Sequence, residues 1–125
     1  MPLQHYRELI VWQKAIVLVE EVYRSTNDFP KTEIYALTNQ IRRAAVSIPS
    51  NIAEGQGRNS TREVLHFLSV AQGSLMELET QVTVAERLGY FNQTQEKHLL
   101  DSTAEVSRML SGLKTSLNKK LATNH

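Results

Sequence analysis

Glu63-Val64-Leu65-His66 sets a carboxylate and an imidazole one helical turn apart, the spacing with which helix bundles hold di-metal centres. Such a centre needs a second Glu-x-x-His pair and a glutamate from each of two further helices. The chain has no second pair, because His98 follows Gln95, not a glutamate, at that distance. His66 also projects nearly opposite the apolar stripe of its own helix. A chance match on a polar face is the favoured reading, and no metal or cofactor is expected. Nucleophilic chemistry fares no better. There is no cysteine, and the serines fall in helix caps or on polar faces without a His–Asp relay. Glu77 and Glu79 are two apart and diverge on a helix. Glu54 and Glu79 lie nearest the expected core edges, where they suit ion pairs with Arg43, Arg58 or a neighbouring subunit. No catalytic residue is assigned and no enzyme is expected.

The stretch "QIRRAAVSIPSNIAEGQGR" (40–58) raises the question of phosphate binding. It lacks the G-x-x-x-x-G-K-[ST] pattern, and no strand precedes it, so it is not a nucleotide loop. Helix N-termini bind anions, which leaves open a weak phosphate contact at Arg58, Arg62 and the amides near Ser60. The plainer reading is that Gly55 and Gly57 stop one helix and turn the chain into the next. Pro49 sits between Ile48 and Ile52, which keep one helical phase. The helix is therefore expected to continue through it and to kink where the bond to the Ala45 carbonyl is lost; a strained functional turn is the alternative.

Four long segments must position these residues. Leu9, Trp12, Ile16, Val19 and Tyr23 recur at helical spacing, with Val11, Ala15, Leu18 and Val22 as a second stripe beside them and Ile10 and Val17 further round. In the second segment Ile34, Leu37, Ile41, Ala44, Ala45, Ile48 and Ile52 make the stripe. The third opens on Ser60 and Glu63, a capping box. It carries Val64, Phe67, Leu68, Ala71, Leu75, Leu78, Val82 and Ala85, and stops at Gly89. The fourth is capped by Asn92 and carries Leu99, Val106, Leu110, Leu113 and Leu117. No stretch alternates with period two for long. The expectation is an all-α, antiparallel up-down-up-down four-helix bundle, one domain over 1–125, with helices at about 7–26, 31–56, 61–88 and 93–120 and helix two kinked at Pro49.

Composition narrows the partners. Lys and Arg number 14 against 13 Asp and Glu, a net charge of +1, so no global basic field draws the chain to nucleic acid or anionic lipid. The N-terminal "MPLQHYRELIVWQK" has no signal-peptide apolar region before its charges. The longest apolar run, "AIVLV", is far short of the roughly 20 residues a membrane span needs. A cytoplasmic protein without membrane contact is expected; the lack of cysteine suits a reducing compartment.

At about 100° per residue, Gln40, Arg43, Ser47, Asn51, Glu54 and Arg58 fall in one narrow sector beside the core stripe. A solvated face favours Lys and Glu, whereas amide, hydroxyl and both charge signs can bond to one another or to a matching surface. Tyr35, Val46 and Ala53 around Arg42 form a partly apolar strip on the opposite flank. One four-helix core cannot bury all this and the spare stripe of helix one. Self-association is therefore expected, with Val11, Leu18, Val22, Tyr35, Gln40, Arg43, Ser47, Asn51 and Glu54 as subunit-interface candidates.

The segments "VWQKA" (11–15), "FPKTEIYALTNQIRRAAVSIPSNIAEGQGR" (29–58), "FLSVAQGSLMELETQ" (67–81) and "LGY" (88–90) together resemble the bacterial four-helix-bundle proteins of the 23S rRNA intervening-sequence family. The resemblance spans about residues 8 to 91; helix four matches only in character. It implies a four-helix subunit, a ring-like homopentamer and no catalytic activity. Some relatives are encoded within insertions in large-subunit rRNA genes. Others resemble the accessory protein of diversity-generating retroelements, which associates with nucleic acid and a reverse transcriptase. Family members often carry glycine where this chain has Ala36, a change that should only stiffen helix two.

Two functions follow as expectations. The first is an RNA-associated bundle in which a pentamer multiplies each local cation by five. Its phosphate contacts would come from Lys14, Arg42, Arg43, Arg58 and Arg62, without sequence readout. Arg42 and Arg43 point about 100° apart and cannot both face one ligand squarely. Trp12 and Tyr23 are expected to be buried, leaving Tyr6, Tyr35 and Tyr90 for stacking on bases. The alternative is a protein-interaction scaffold that uses its polar stripe and apolar strips for self-assembly and one protein partner.

Overall fold

The computed structural model describes residues 5–123. Among them are four α-helices: α1 Ile10–Thr26, α2 Leu37–Gln56, α3 Thr61–Arg87 and α4 Gln93–Thr123. Each packs against its neighbours in sequence, and α1 also packs against α4, so the four helices close a ring. Cross-helix partners run in opposite chain order. Lys14 meets Glu105 and Glu21 meets His98 between α1 and α4, and Gln72 meets Ser107 and Glu79 meets Thr103 between α3 and α4. The core fills the centre of this ring, with Ile41, Ile48 and Ile52 from α2, Leu68, Leu75, Leu78 and Val82 from α3, and Leu99, Val106 and Leu110 from α4. Phe29 and Phe91, from the two loops at one end, meet edge to face at 4.8 Å between ring centroids and close the core there.

The α1 contribution corrects the sequence reading. Val11, Leu18 and Val22, placed above at a subunit interface, are buried inside the subunit at 5%, 1% and 0% exposure. The neighbouring stripe through Trp12, Ile16 and Val19 is only half-buried, and Tyr23 is exposed, not buried. Helix one is apolar round most of its circumference, so periodicity offers two equal stripes. The structure buries the stripe through Val11, Ala15, Leu18 and Val22, and with that rotation Lys14 and Glu21 lie beside Glu105 and His98 of α4.

Two helix starts and the role of one glycine also differ. α1 begins at Ile10 because Leu9 is extended; a 3-10 turn at Tyr6–Glu8 precedes it, capped by His5 Nδ1 accepting from the Arg7 amide at 3.2 Å. α2 begins at Leu37. Residues 31–33 form a separate 3-10 turn, and Ala36, at φ −124° and ψ −109°, breaks the helical phase. Ile34 was assigned to the core by that phase, but it lies before the break and is 51% exposed. Gly55 does not stop α2. It is buried within the helix, and the chain turns at Gly57. A Cβ on Gly55 would stand 3.0 Å from Phe67 Cβ, so this glycine lets α3 approach closely. α2 runs on through Pro49 as one helix, with the proline ring buried.

Elsewhere the punctuation reads directly as geometry. Ser60 Oγ accepts from the Glu63 amide at 3.1 Å. Asn92 and Gln95 cap α4 reciprocally, each side chain accepting from the other's amide, at 2.8 and 2.9 Å. Gly89, at φ +82°, ends α3 with the Tyr90 amide donating to the Ala85 carbonyl and its own amide to that of Glu86.

One link between loops was not legible. Glu33 Oε1 accepts from the Leu37 amide and caps α2, while its Oε2 accepts from the Tyr90 hydroxyl at 2.9 Å. That hydrogen bond, then burial and the carboxylate's charge, raise the Tyr90 pKa above the ordinary tyrosine value. Because the folded state holds this proton more tightly, the stabilisation is full below about pH 10, the unfolded value. It is lost as pH rises through the raised folded value. A spectrophotometric titration should find one tyrosine ionising after the others, and Tyr90→Phe should abolish that late step. An unchanged profile in the variant would assign the late step elsewhere.

Candidate functional site

The five cationic candidates do not converge on one face. Lys14 sits on the α4 side of α1, 3.6 Å from Glu105 Oε2. Arg58, at the end of α2, pairs with Glu54 at 2.7 Å and lies over the Phe67 ring at 4.5 Å. Both pairs are solvent-exposed and worth at most about 1 kcal/mol, so a stronger acidic partner could displace them. Arg42 is committed more deeply. Its Nε donates to Thr26 Oγ1 at 2.9 Å, its Nη2 reaches the Tyr23 carbonyl and Asn27 Oδ1 at 3.4 Å, and its guanidinium covers the Tyr23 ring at 4.7 Å. It is a clamp on the C-terminus of α1, where a cation is favoured by the helix dipole, and not a free ligand contact. Arg42→Ala should lower stability by about 1–2 kcal/mol through lost hydrogen bonds and ring contact. Arg42→Lys should recover only part, because an ammonium cannot reproduce the fork; chemical denaturation of the three proteins checks this. Arg43 and Arg62 are exposed and make no ion pair among the described residues.

The polar sector of α2 splits in two. Ser47 Oγ shares a hydrogen bond with Ser74 Oγ of α3 at 2.8 Å, and the Asn51 amide donates to the Ser47 carbonyl and hydroxyl at 2.8 and 3.0 Å. Both interface candidates thus bond inside the subunit, Ser47 to α3 and Asn51 to Ser47 of its own helix. Gln40, Arg43 and Glu54 stay exposed, and Tyr35 is 94% exposed.

The flank facing α1 carries the most distinctive surface. Trp12, Ile16 and Val19 of α1 and Val46, Pro49 and Ala53 of α2 line an open groove of about 250 Å³, with Tyr6 at one end. Its wall is almost wholly apolar because the half-buried stripe of α1 meets the Val46–Ala53 strip here. Arg7 stands over Tyr6 and Trp12, 5.4 and 5.5 Å from their ring centroids. Further exposed apolar residues are Val70 and Val84 on α3 and Leu88 just past its end. No group of three or more His, Asp or Glu side chains that could hold a metal ion occurs among the described residues. Glu63 is engaged in its cap, and His66 lies edge-on to Phe67. No described helix is long and apolar enough to cross a membrane.

The family model for the 23S rRNA-intervening sequence protein matches residues 7–112. The chain belongs to this family. A solved structure, that of a protein with unknown function from the S23 ribosomal protein family of Bacteroides thetaiotaomicron, superposes with a TM-score of 0.76 at 19% identity. The superposition covers 84% of this chain and 98% of that one. At that identity it shows the shared fold alone. None of the curated proteins compared matches the chain. As a 23S rRNA-intervening sequence family protein, the chain carries α1 to α3 wholly inside the matched span and α4 as far as Gly112. The groove apart from Tyr6, the exposed apolar residues of α3, Arg43 and Arg62 all fall within it.

Proposed function

We propose that this protein is a non-enzymatic, cytoplasmic assembly module whose copies join through the apolar surface a single bundle leaves open. The observation that carries this reading is the groove between α1 and α2. Trp12, Ile16, Val46 and Ala53 line an open channel that no described residue covers. Apolar side chains gathered in one open channel make a candidate interaction site. The family resemblance sets the expected subunit number at five. Sedimentation at micromolar concentration should give an assembly larger than a dimer, and a stable monomer would overturn the reading.

A second reading, RNA association, is favoured by Arg43 and Arg62, the two of the five candidates that are exposed and make no ion pair among the described residues. Repeated round a ring, they would form a charged band able to contact phosphates without reading bases. Binding should weaken steeply with salt, and the double change Arg43→Glu, Arg62→Glu should abolish it while leaving assembly intact. No binding at low salt sinks this second reading. A defined protein that co-purifies after nuclease treatment would point instead to a scaffold for one protein partner.

A further inference from the structure

We propose that the cleft where the end of α1 meets the start of α2 binds a small phosphate group, as the free ion or as the monoester of a small molecule. The cleft holds about 230 Å³, and Thr26, Asn27, Phe29, Lys31, Thr38 and Arg42 are among its lining residues. Pockets for drug-sized ligands run to about 300–1,000 Å³, so this one suits a group of a few heavy atoms. It shares no lining residue with the apolar groove and stands apart from self-assembly.

Thr38 carries the inference. It is 5% exposed, and its hydroxyl is buried without a hydrogen-bond partner among the described residues. A buried polar group left in that state is costly unless something satisfies it. The backbone beside it is in the same condition. Thr38 is the second residue of α2. The Leu37 amide donates to Glu33 Oε1 and the Gln40 amide to the Ala36 carbonyl, but the amides of Thr38 and Asn39 have no partner among the described hydrogen bonds. Orphan amides at a helix start favour an oxyanion. The Glu33 carboxylate already plays that part for Leu37.

The charges agree in sign. Among the described residues no aspartate or glutamate lines the cleft. Lys31 is exposed and makes no ion pair among the described residues. Arg42, held by Thr26 and the end of α1, adds a fixed positive charge without leaving its clamp. A phosphate here would accept from the Thr38 hydroxyl, the two orphan amides and the Lys31 ammonium. Its several acceptor oxygens match that donor set. A neutral ligand would leave both cations unanswered.

Amide NMR of the full chain, titrated with inorganic phosphate against a chloride control of equal ionic strength, tests this. Saturable shifts are expected at Lys31, Thr38 and Asn39, with a dissociation constant on the order of 1 mM, as a few polar contacts give. Thr38→Val should weaken binding by about tenfold or more, the contribution of one hydrogen bond to a charged group. In phosphate-free buffer the same variant should be at least as heat-stable as the wild type, because it removes a hydroxyl that nothing satisfies. Lys31→Glu, at an exposed position, should abolish binding and leave the fold intact. Phosphoethanolamine separates the two sources: binding as tight as that of phosphate assigns a monoester, and weaker binding assigns the free ion. The proposal is overturned by the absence of saturable shifts, by shifts that chloride reproduces, or by unchanged affinity in either variant. A loss of stability in phosphate-free Thr38→Val also overturns it, since the hydroxyl would then already have a partner.

Discussion

Leu18→Ala is expected to lower the free energy of unfolding by about 3 kcal/mol, the usual cost of removing a buried leucine and leaving a cavity. At this chain length the midpoint temperature should fall by roughly 10 °C. Leu18 is 1% exposed and lies between Ala15 and Val22, which are fully buried, so no side chain can swing in from solvent to fill the space. The adjacent stripe behaves differently. Ile16→Ala removes a half-buried side chain on the groove wall. It should cost the isolated subunit less, and it should weaken assembly. Because stability and assembly are linked through protomer concentration, urea titrations at several concentrations separate the two. The Leu18→Ala loss should persist at every concentration, whereas the Ile16→Ala loss should shrink as the wild type dissociates. A Leu18→Ala cost below about 1 kcal/mol would mean that the stripe through Val11 and Leu18 is not the core.

Gly55→Leu is expected to be the second large effect, destabilising by about 3 kcal/mol through overpacking of the α2–α3 seam. Even a Cβ at this position meets Phe67 Cβ at 3.0 Å and the Val64 carbonyl oxygen at 3.4 Å. Neither is the free end of a flexible side chain, so relief requires α2 and α3 to separate. Gly55→Ala should be milder. Alanine gains about 1 kcal/mol of helix propensity over glycine, which offsets part of the clash. Gly112, on α4, has nothing within 4 Å of an added Cβ. Gly112→Ala should therefore stabilise by something under about 1 kcal/mol, and it serves as the control. If Gly55→Ala stabilised as Gly112→Ala does, close approach would not be what holds glycine at position 55.

The residues that punctuate the chain were legible because their action is local. Ser60 with Glu63, Asn92 and Gly89 act within one turn of themselves, and the structure shows each at the helix end expected. Apolar spacing likewise placed the core stripes of α3 and α4. The errors fall where two answers share one pattern. Gly55 and Gly57 are identical as residues, yet one turns the chain and the other admits a neighbouring helix. Arg42 and Arg43 are adjacent and equally basic. One caps α1 from across the interface and the other stands free, and only the position of Thr26 and Asn27 tells them apart.

The sequence by itself determined four helices, their approximate ends and an apolar surplus that one bundle cannot bury, because these depend on periodicity and capping within a few residues. The tertiary structure decided which stripe of α1 faces inward and which polar residues of α2 are satisfied by α3. It also showed that Val46 and Ala53 join Trp12 and Ile16 in a single groove. Those outcomes rest on the rotation of each helix about its axis. That rotation is settled by packing between residues far apart in the chain, and it brings Lys14 and Glu21 to α4 and Ser47 to Ser74.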